Sequence, residues 1–354
     1  DAAQSAAEVN AYAYADSLAA EAASRLDAIE ADYLVAADLD DTVELIRVDT
    51  TWTIDQYGTG DFADVSDAIA ALDEYRIAHD ATLTIQLDAG AYYFTEALTF
   101  HHPDGGRIRL LGDESDPNNV NLYFTGSHGI VVDEASSLGY VAGLALHGDA
   151  SAANGLFITE ASSAQAGALE IHDFGGQGVS VTGSSYLEGN GTSTPGWLSI
   201  DGSGVSGIYV ADSSAAVLGA FEVSGSGNYG ALAEGASYIH GVGASASANG
   251  DYGFEAWNGS AADFRDATSS DNSTGYLVGL GSSAKLGGAT ATGNSNNGFW
   301  SLQGSYVDAY LSGCCASSID SPTGFEADGL AGFSLLSPSV SGSTTYAYHT
   351  YAHS

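Results

Sequence analysis

One repeat with a fixed internal frame constrains this chain more than any other feature. Gly129, Gly155, Gly178, Gly207, Gly230, Gly253, Gly275, Gly298 and Gly324 succeed one another at spacings of 26, 23, 29, 23, 23, 22, 23 and 26 residues. Seven places after the first eight stand Ser136, Ser162, Ser185, Ser214, Ser237, Ser260, Ser282 and Ser305; the ninth frame carries Ala331 instead. Self-similarity at a period of roughly 20 to 50 residues marks a stack of like structural units.

The columns of the repeat say what each unit is. The place after Gly reads Ile130, Leu156, Val179, Ile208, Ala231, Phe254, Tyr276, Phe299, Phe325, and two places later come Val132, Ile158, Val181, Val210, Ala233, Ala256, Val278, Ser301, Ala327. Alternation with more polar positions is the pattern of a strand with one buried face. A second apolar column, nine after Gly, runs from Leu138 to Phe333, and a third short strand comes next as "LAL" at 144, "LEI" at 169, "LSI" at 198 and "FEV" at 221. Three short strands per unit, separated by turns, predict one coil of a right-handed, single-stranded parallel β-helix, an all-β fold. In later units the third strand shrinks to Ala and Ser while the column after Gly grows to Phe and Tyr, a trade that packing at fixed volume requires. The spacings above 23 residues read as loop insertions, the clearest being "EGNGTSTPG" at 188–196.

Charge excludes several functions. Seven basic residues stand against 45 acidic ones, a net −38. Such a surface opposes nucleic-acid binding and docking on anionic lipid, and no apolar run is long enough to insert in a membrane. Salt screens its self-repulsion, so the balance, with Lys285 the sole lysine, points to a salt-adapted setting. Cys314 and Cys315 are neighbours, poorly placed for a mutual disulfide. The sequence opens on Asp1 and has no Met, so we expect a processed product or part of a longer chain.

Three domains are expected. Residues 1–38 lack Gly and Pro and place Leu18, Ala22, Leu26, Ile29 and Tyr33 on one helical stripe, predicting an N-terminal α-helical stalk or attachment segment that packs on copies of itself. Residues 39–118 form a lead-in and capping region: β-like alternation at 40–62, an amphipathic capping helix over 63–80 with Val65, Ile69, Leu72 and Ile77 on one face, then strands at 81–100 and 106–114. Residues 119–354 hold the parallel β-helix rungs.

In this region the chain resembles a known group. "YGTGDFADVSDAIAAL", "LTIQLDAGAYYFTEALTF" and "IRLLGDE" are similar to the opening of pectin-lyase-like right-handed parallel β-helices, where a "GxGDF" strand leads to a capping helix, a "GxY" turn and the first rung. The detailed likeness covers residues 52–114. Helix plus β-helix in one chain resembles the tail spikes and fibres of tailed viruses. That resemblance implies a homotrimer on the virion surface, contacting other tail or baseplate proteins through the N-terminal helix and a host-surface glycan or glycoprotein through the rungs; we expect this contact to be made without catalysis. Two alternatives stand beside this expectation: a polysaccharide-degrading spike, lyase or glycoside hydrolase, as the wider resemblance implies, and a non-viral cell-surface adhesin.

Any chemistry must lie in the departures from the frame. Acids at the phase five after Gly, Glu134, Glu160 and Asp212, read as a solvated turn ladder and not as a catalytic pair; no catalytic residue is assigned. No cofactor is expected: acidic turns are suited to Ca²⁺, but no EF-hand or nonapeptide loop is present, and the nine His show no metal-ligand spacing. Outward aromatics are the candidates for glycan or receptor contact, because flat amphipathic rings bind with little entropy loss. They are Tyr209 and Trp300 at the phase two after Gly, Trp257 on the same face two places beyond Glu255, and Tyr186, Tyr238 and Tyr306 just after the serine column.

Overall fold

The computed structural model describes residues 43–189, 198–311, 314–315, 317–329, 331–334, 339–342 and 346–351. The chain divides after Glu44, and the unit Leu45–Ser354 holds the repeat. The expected stalk at 1–38 and most of the 188–196 insertion lie outside the described residues.

This unit is a parallel β-solenoid of the right-handed type. Three long sheets run its length, with 12, 11 and 11 strands. The first begins with Thr50–Ile54, Leu83–Leu87, Ile108–Leu111 and Ser137–Ala142; the second with Gly90–Phe94, Val120–Phe124 and Leu144–His147; the third with Leu98–Phe100, Ile130–Val132 and Leu156–Ile158. Successive coils contribute one strand to each sheet, and stacking is already under way in the lead-in region. Among the described residues, a small hairpin, Tyr310–Leu311 against Cys314–Cys315, pairs antiparallel.

The repeat frame sets the register. The place after Gly forms one unbroken inward column, Leu156↔Val179↔Ile208↔Ala231↔Phe254↔Tyr276↔Phe299↔Phe325. Its last four rings stack at centroid separations of 5.2, 4.8 and 4.7 Å. Within the same coils the second sheet supplies only Ala246, Ser269, Ala291 and Ser318, all buried. Large rings on one wall are thus matched by small side chains on another, as constant interior volume demands.

The glycine column has a reason that spacing alone does not reveal. A Cβ on Gly230 would point into the interior and collide with the carbonyl oxygen of Gly253 in the next coil; Gly155, Gly178, Gly207, Gly253, Gly275 and Gly298 each face the next glycine's carbonyl in the same way. Glycine is required because two backbones approach there. Five and six places on, the chain turns through two left-handed residues, such as Glu134–Ala135 (φ 55° and 58°), Glu160–Ala161 (56° and 62°) and Asp212–Ser213 (56° and 62°). These exposed turns are the acid ladder read from the sequence.

The serine after each turn is buried and bonds to the next coil. The Ser136 amide donates to Ser162 Oγ (3.2 Å), Ser162 to Ser185 (3.2 Å), Ser185 to Ser214 (3.0 Å), Ser214 to Ser237 (3.2 Å), Ser237 to Ser260 (3.1 Å) and Ser260 to Ser282 (3.1 Å). Each hydroxyl accepts from an amide that has no strand partner, and the Ser136 and Ser162 amides also reach the turn carbonyls of Asp133 and Thr159. A parallel ladder of asparagines occupies another corner: the amides of Ser226, Asn249 and Asn272 donate to the Oδ1 of Asn249, Asn272 and Asn294 at 3.0, 2.8 and 3.1 Å.

The cap differs from expectation. The helix spans only Val65–Ala71, with Asp64 accepting the Ser66 amide, a 3-10 turn at Leu72–Glu74, and then a strand at Tyr75–Ile77. Beyond the helix, Asp104 holds this strand from another part of the chain, accepting the Ile77 amide at 2.9 Å and Arg76 Nε at 2.7 Å. Tyr75–Ile77, which continue the apolar helical spacing, instead pair as a strand with Glu44–Ile46, so tertiary context overrides a helical pattern that would have run to residue 80.

Candidate functional site

The six outward aromatics fall on two faces. Tyr186, Tyr238 and Tyr306 lie along the outside of the first sheet in one register column, Tyr186↔Ala215↔Tyr238↔Ala261↔Ser283↔Tyr306. Tyr186 and Tyr306 are 39% and 51% exposed. Tyr238 and Tyr306 flank a shallow cavity of about 320 Å³ with Asp263, Lys285 and Asp308. Within it Asp263 accepts two bonds from Arg265, at 2.7 and 2.8 Å.

Tyr209 and Trp300 belong to the third sheet, and Trp257 directly follows its strand Tyr252–Ala256. Its outward column runs Phe157↔Ser180↔Tyr209↔Leu232↔Glu255↔Leu277↔Trp300↔Glu326. This column should face solvent, yet Leu232, Glu255 and Leu277 are 7%, 6% and 3% exposed. They form a groove of about 400 Å³ together with Tyr229, Glu234, Tyr252, Trp257, Trp300 and Leu302. Tyr229 and Tyr252 sit just before the frame glycine in successive coils and stack at 5.7 Å, 13° from parallel. Trp257 lies against the next coil at Gly279, where any Cβ would strike its ring. Tyr209 flanks the groove, its hydroxyl donating to Glu234 Oε2 at 3.3 Å.

Glu255 is the chemically unusual group. Glu255 Oε2 and Trp300 Nε1 are buried and have no hydrogen-bond partner among the described residues. Burial among rings and leucines, with Glu234 and Asp251 nearby, pushes the Glu255 carboxyl up to about 8. Burial first, and then the neighbouring carboxylates, also raise the hydroxyls of Tyr209, Tyr229 and Tyr252. Glu234 stands diagonally across one coil and two residues along, so its Cα is about 8 Å from that of Glu255. A wall of aromatic side chains around two carboxyls, with no basic residue in the lining, is a concave site able to hold a polar molecule by ring contact and hydrogen bonds.

Sequence reasoning found Tyr209, Trp257 and Trp300 but missed Tyr229, Tyr252, Glu234 and the burial of Glu255. The available signal was two tyrosines at one phase in adjacent coils beside an acid, Glu255, in the outward column. It also missed an aromatic ladder on the second sheet, where Tyr93, Tyr123, His147 and His172 stack in succession at 5.1, 4.6 and 5.0 Å. Burial and the neighbouring His172 hold the His147 imidazole below its ordinary value. Asn272, which heads a glycosylation sequon, is buried inside the asparagine ladder, whereas Asn258 heads another in an exposed turn. No group of three or more His, Cys, Asp or Glu among the described residues is placed to hold a metal ion.

No protein-family model, curated protein or solved structure matches this chain. Fold and groove together define a class: a right-handed-type parallel β-solenoid, consistent with the pectin-lyase-like β-helices, that carries an aromatic-walled cavity on one outward sheet.

Proposed function

We propose that this chain is a surface appendage of the tail-fibre or tail-spike type, homotrimeric and exposed on a virion in a salt-adapted system, that holds a host-surface glycan in the groove of its third sheet. The observation that carries this reading is the clustering of Tyr229, Tyr252, Trp257 and Trp300 around a concave surface on an otherwise regular ladder. Sugars present apolar C–H faces that lie against aromatic rings and hydroxyls that bond to groups such as Glu234. The acidic surface suits a neutral or cationic ligand and repels acidic polymers. The Ala-rich segment 1–38 is the attachment end in this reading.

The test is binding of the purified protein to an array of surface polysaccharides in high salt, with Trp257→Ala and Trp300→Ala as variants. The reading requires a bound glycan and a loss of about tenfold or more with either variant. Retention of full affinity by both would place recognition elsewhere. One observation favours a second reading, cleavage of the bound glycan: a Glu255 carboxyl protonated at neutral pH beside Glu234 has the form of an acid and base pair. New reducing ends from a bound polysaccharide, lost in Glu255→Gln, would establish it.

A further inference from the structure

We propose that the third-sheet groove is built to take an organic ammonium group, so that the ligand carries a positive charge seated between Glu255, Glu234 and the faces of Trp257, Trp300, Tyr229 and Tyr252. The inference rests on the glycan reading for the position of the site and goes beyond it in naming the ligand's chemistry.

Glu255 is the anchor. It is more than nine-tenths buried, it lines the groove, and its Oε2 has no partner among the described residues. A buried carboxyl without a partner is costly in either protonation state, and least costly once a donor or a cation reaches it. The groove offers no cation of its own: its lining beyond the two carboxyls is aromatic and aliphatic. The charged and titratable groups that face Glu255 are Glu234 and Asp251, with the phenols of Tyr229 and Tyr252 beside them. All of these are negative or neutral.

The aromatic walls decide which cation fits. A small metal ion keeps a tight water shell and wants oxygen ligands, which rings do not supply. An organic ammonium holds its water less tightly than a metal ion, least of all when methylated, and is attracted to aromatic rings, of which the groove lining supplies four beside one buried acid. Two sources present this chemistry: an unacetylated amino sugar, or a methylated amine on a lipid or protein. Entry of the cation converts Glu255 to its carboxylate and releases one proton to solvent near neutral pH.

The experiment is calorimetric titration at fixed high ionic strength, with intrinsic Trp fluorescence read in parallel. The probes are tetramethylammonium chloride, a fully deacetylated glucosamine trisaccharide, its N-acetylated form, and potassium chloride. We expect tetramethylammonium to bind with release of a proton at pH 7, detected from buffers of different ionisation enthalpy, and affinity to rise with pH until about 8. The Glu255→Gln variant should lose about tenfold or more in affinity and all of the proton release. Tighter binding of the deacetylated than of the N-acetylated sugar identifies the source as an amino sugar; binding of tetramethylammonium with neither sugar keeps the ammonium inference and removes the glycan reading of this groove. Equal or tighter binding of the N-acetylated sugar, unchanged in Glu255→Gln, overturns the ammonium inference and leaves the glycan reading standing. A potassium response equal to that of tetramethylammonium, or no response to any organic cation, also overturns it.

Discussion

Replacing Glu255 by Gln removes a buried titratable group while keeping its shape, and its effect on stability should depend on pH. In the unfolded chain the carboxyl titrates near 4.5, and in the folded chain it is pushed up to about 8. Between those values the folded state binds a proton that the unfolded state has lost, so stability falls as pH rises through this window and levels off above about 8. Each pH unit is worth about 1.4 kcal/mol, so ionising Glu255 costs the folded chain up to ~5 kcal/mol at pH 9. Gln keeps the shape and does not titrate. At pH 5 the two proteins should melt within ~1 kcal/mol of each other, since one hydrogen-bonding group replaces another. At pH 9 the variant should melt roughly 5 to 10 °C above the parent. The assay is a thermal melt monitored by circular dichroism at pH 5, 7 and 9 in the same salt. All other carboxylates are common to both proteins, so the difference between the curves isolates this side chain. Parallel melting profiles across the range would refute the burial of Glu255 and with it the shape of the groove.

The ladders and the groove give further expected outcomes. Gly230→Ala drives a methyl group into the Gly253 carbonyl and should destabilise by roughly 3 kcal/mol, seen as a lower melting temperature. Ser237→Ala leaves the Ser214 amide without its acceptor in the serine ladder and should cost about 1 to 3 kcal/mol by chemical denaturation, while Ser237→Thr, which keeps the hydroxyl, should cost less. Gly279→Ala should tilt the Trp257 ring out of place, lowering affinity for whatever the groove holds by about tenfold while circular dichroism remains that of the parent.

The solenoid was legible in the sequence because register is repeated. Once Ile208, Ala231 and Phe254 share a phase and alternate with polar neighbours, only stacking satisfies all the coils at once. The meaning of the glycine column was not legible, since the atom that forbids a Cβ at Gly230 belongs to Gly253, a coil away. The helix was overextended because apolar spacing continues to Ile77, and nothing local reveals that Asp104 captures the Ile77 amide. In the groove, period-two alternation assigned Glu255 to the outside, which is correct for its Cα. Its burial comes from Tyr229 and Tyr252 on one side and Trp257 and Trp300 on the other, a small apolar cluster outside the sheet. Alternation describes direction, whereas accessibility depends on what neighbouring coils place alongside.

The most direct test of a glycan-binding third sheet is to locate the bound ligand. A crystal of the protein soaked with the tightest-binding oligosaccharide should show sugar rings over Trp257 and Trp300, with a polar group at Glu255. Sugar found instead along Tyr186, Tyr238 and Tyr306 on the first sheet, with the third-sheet groove empty, would contradict it.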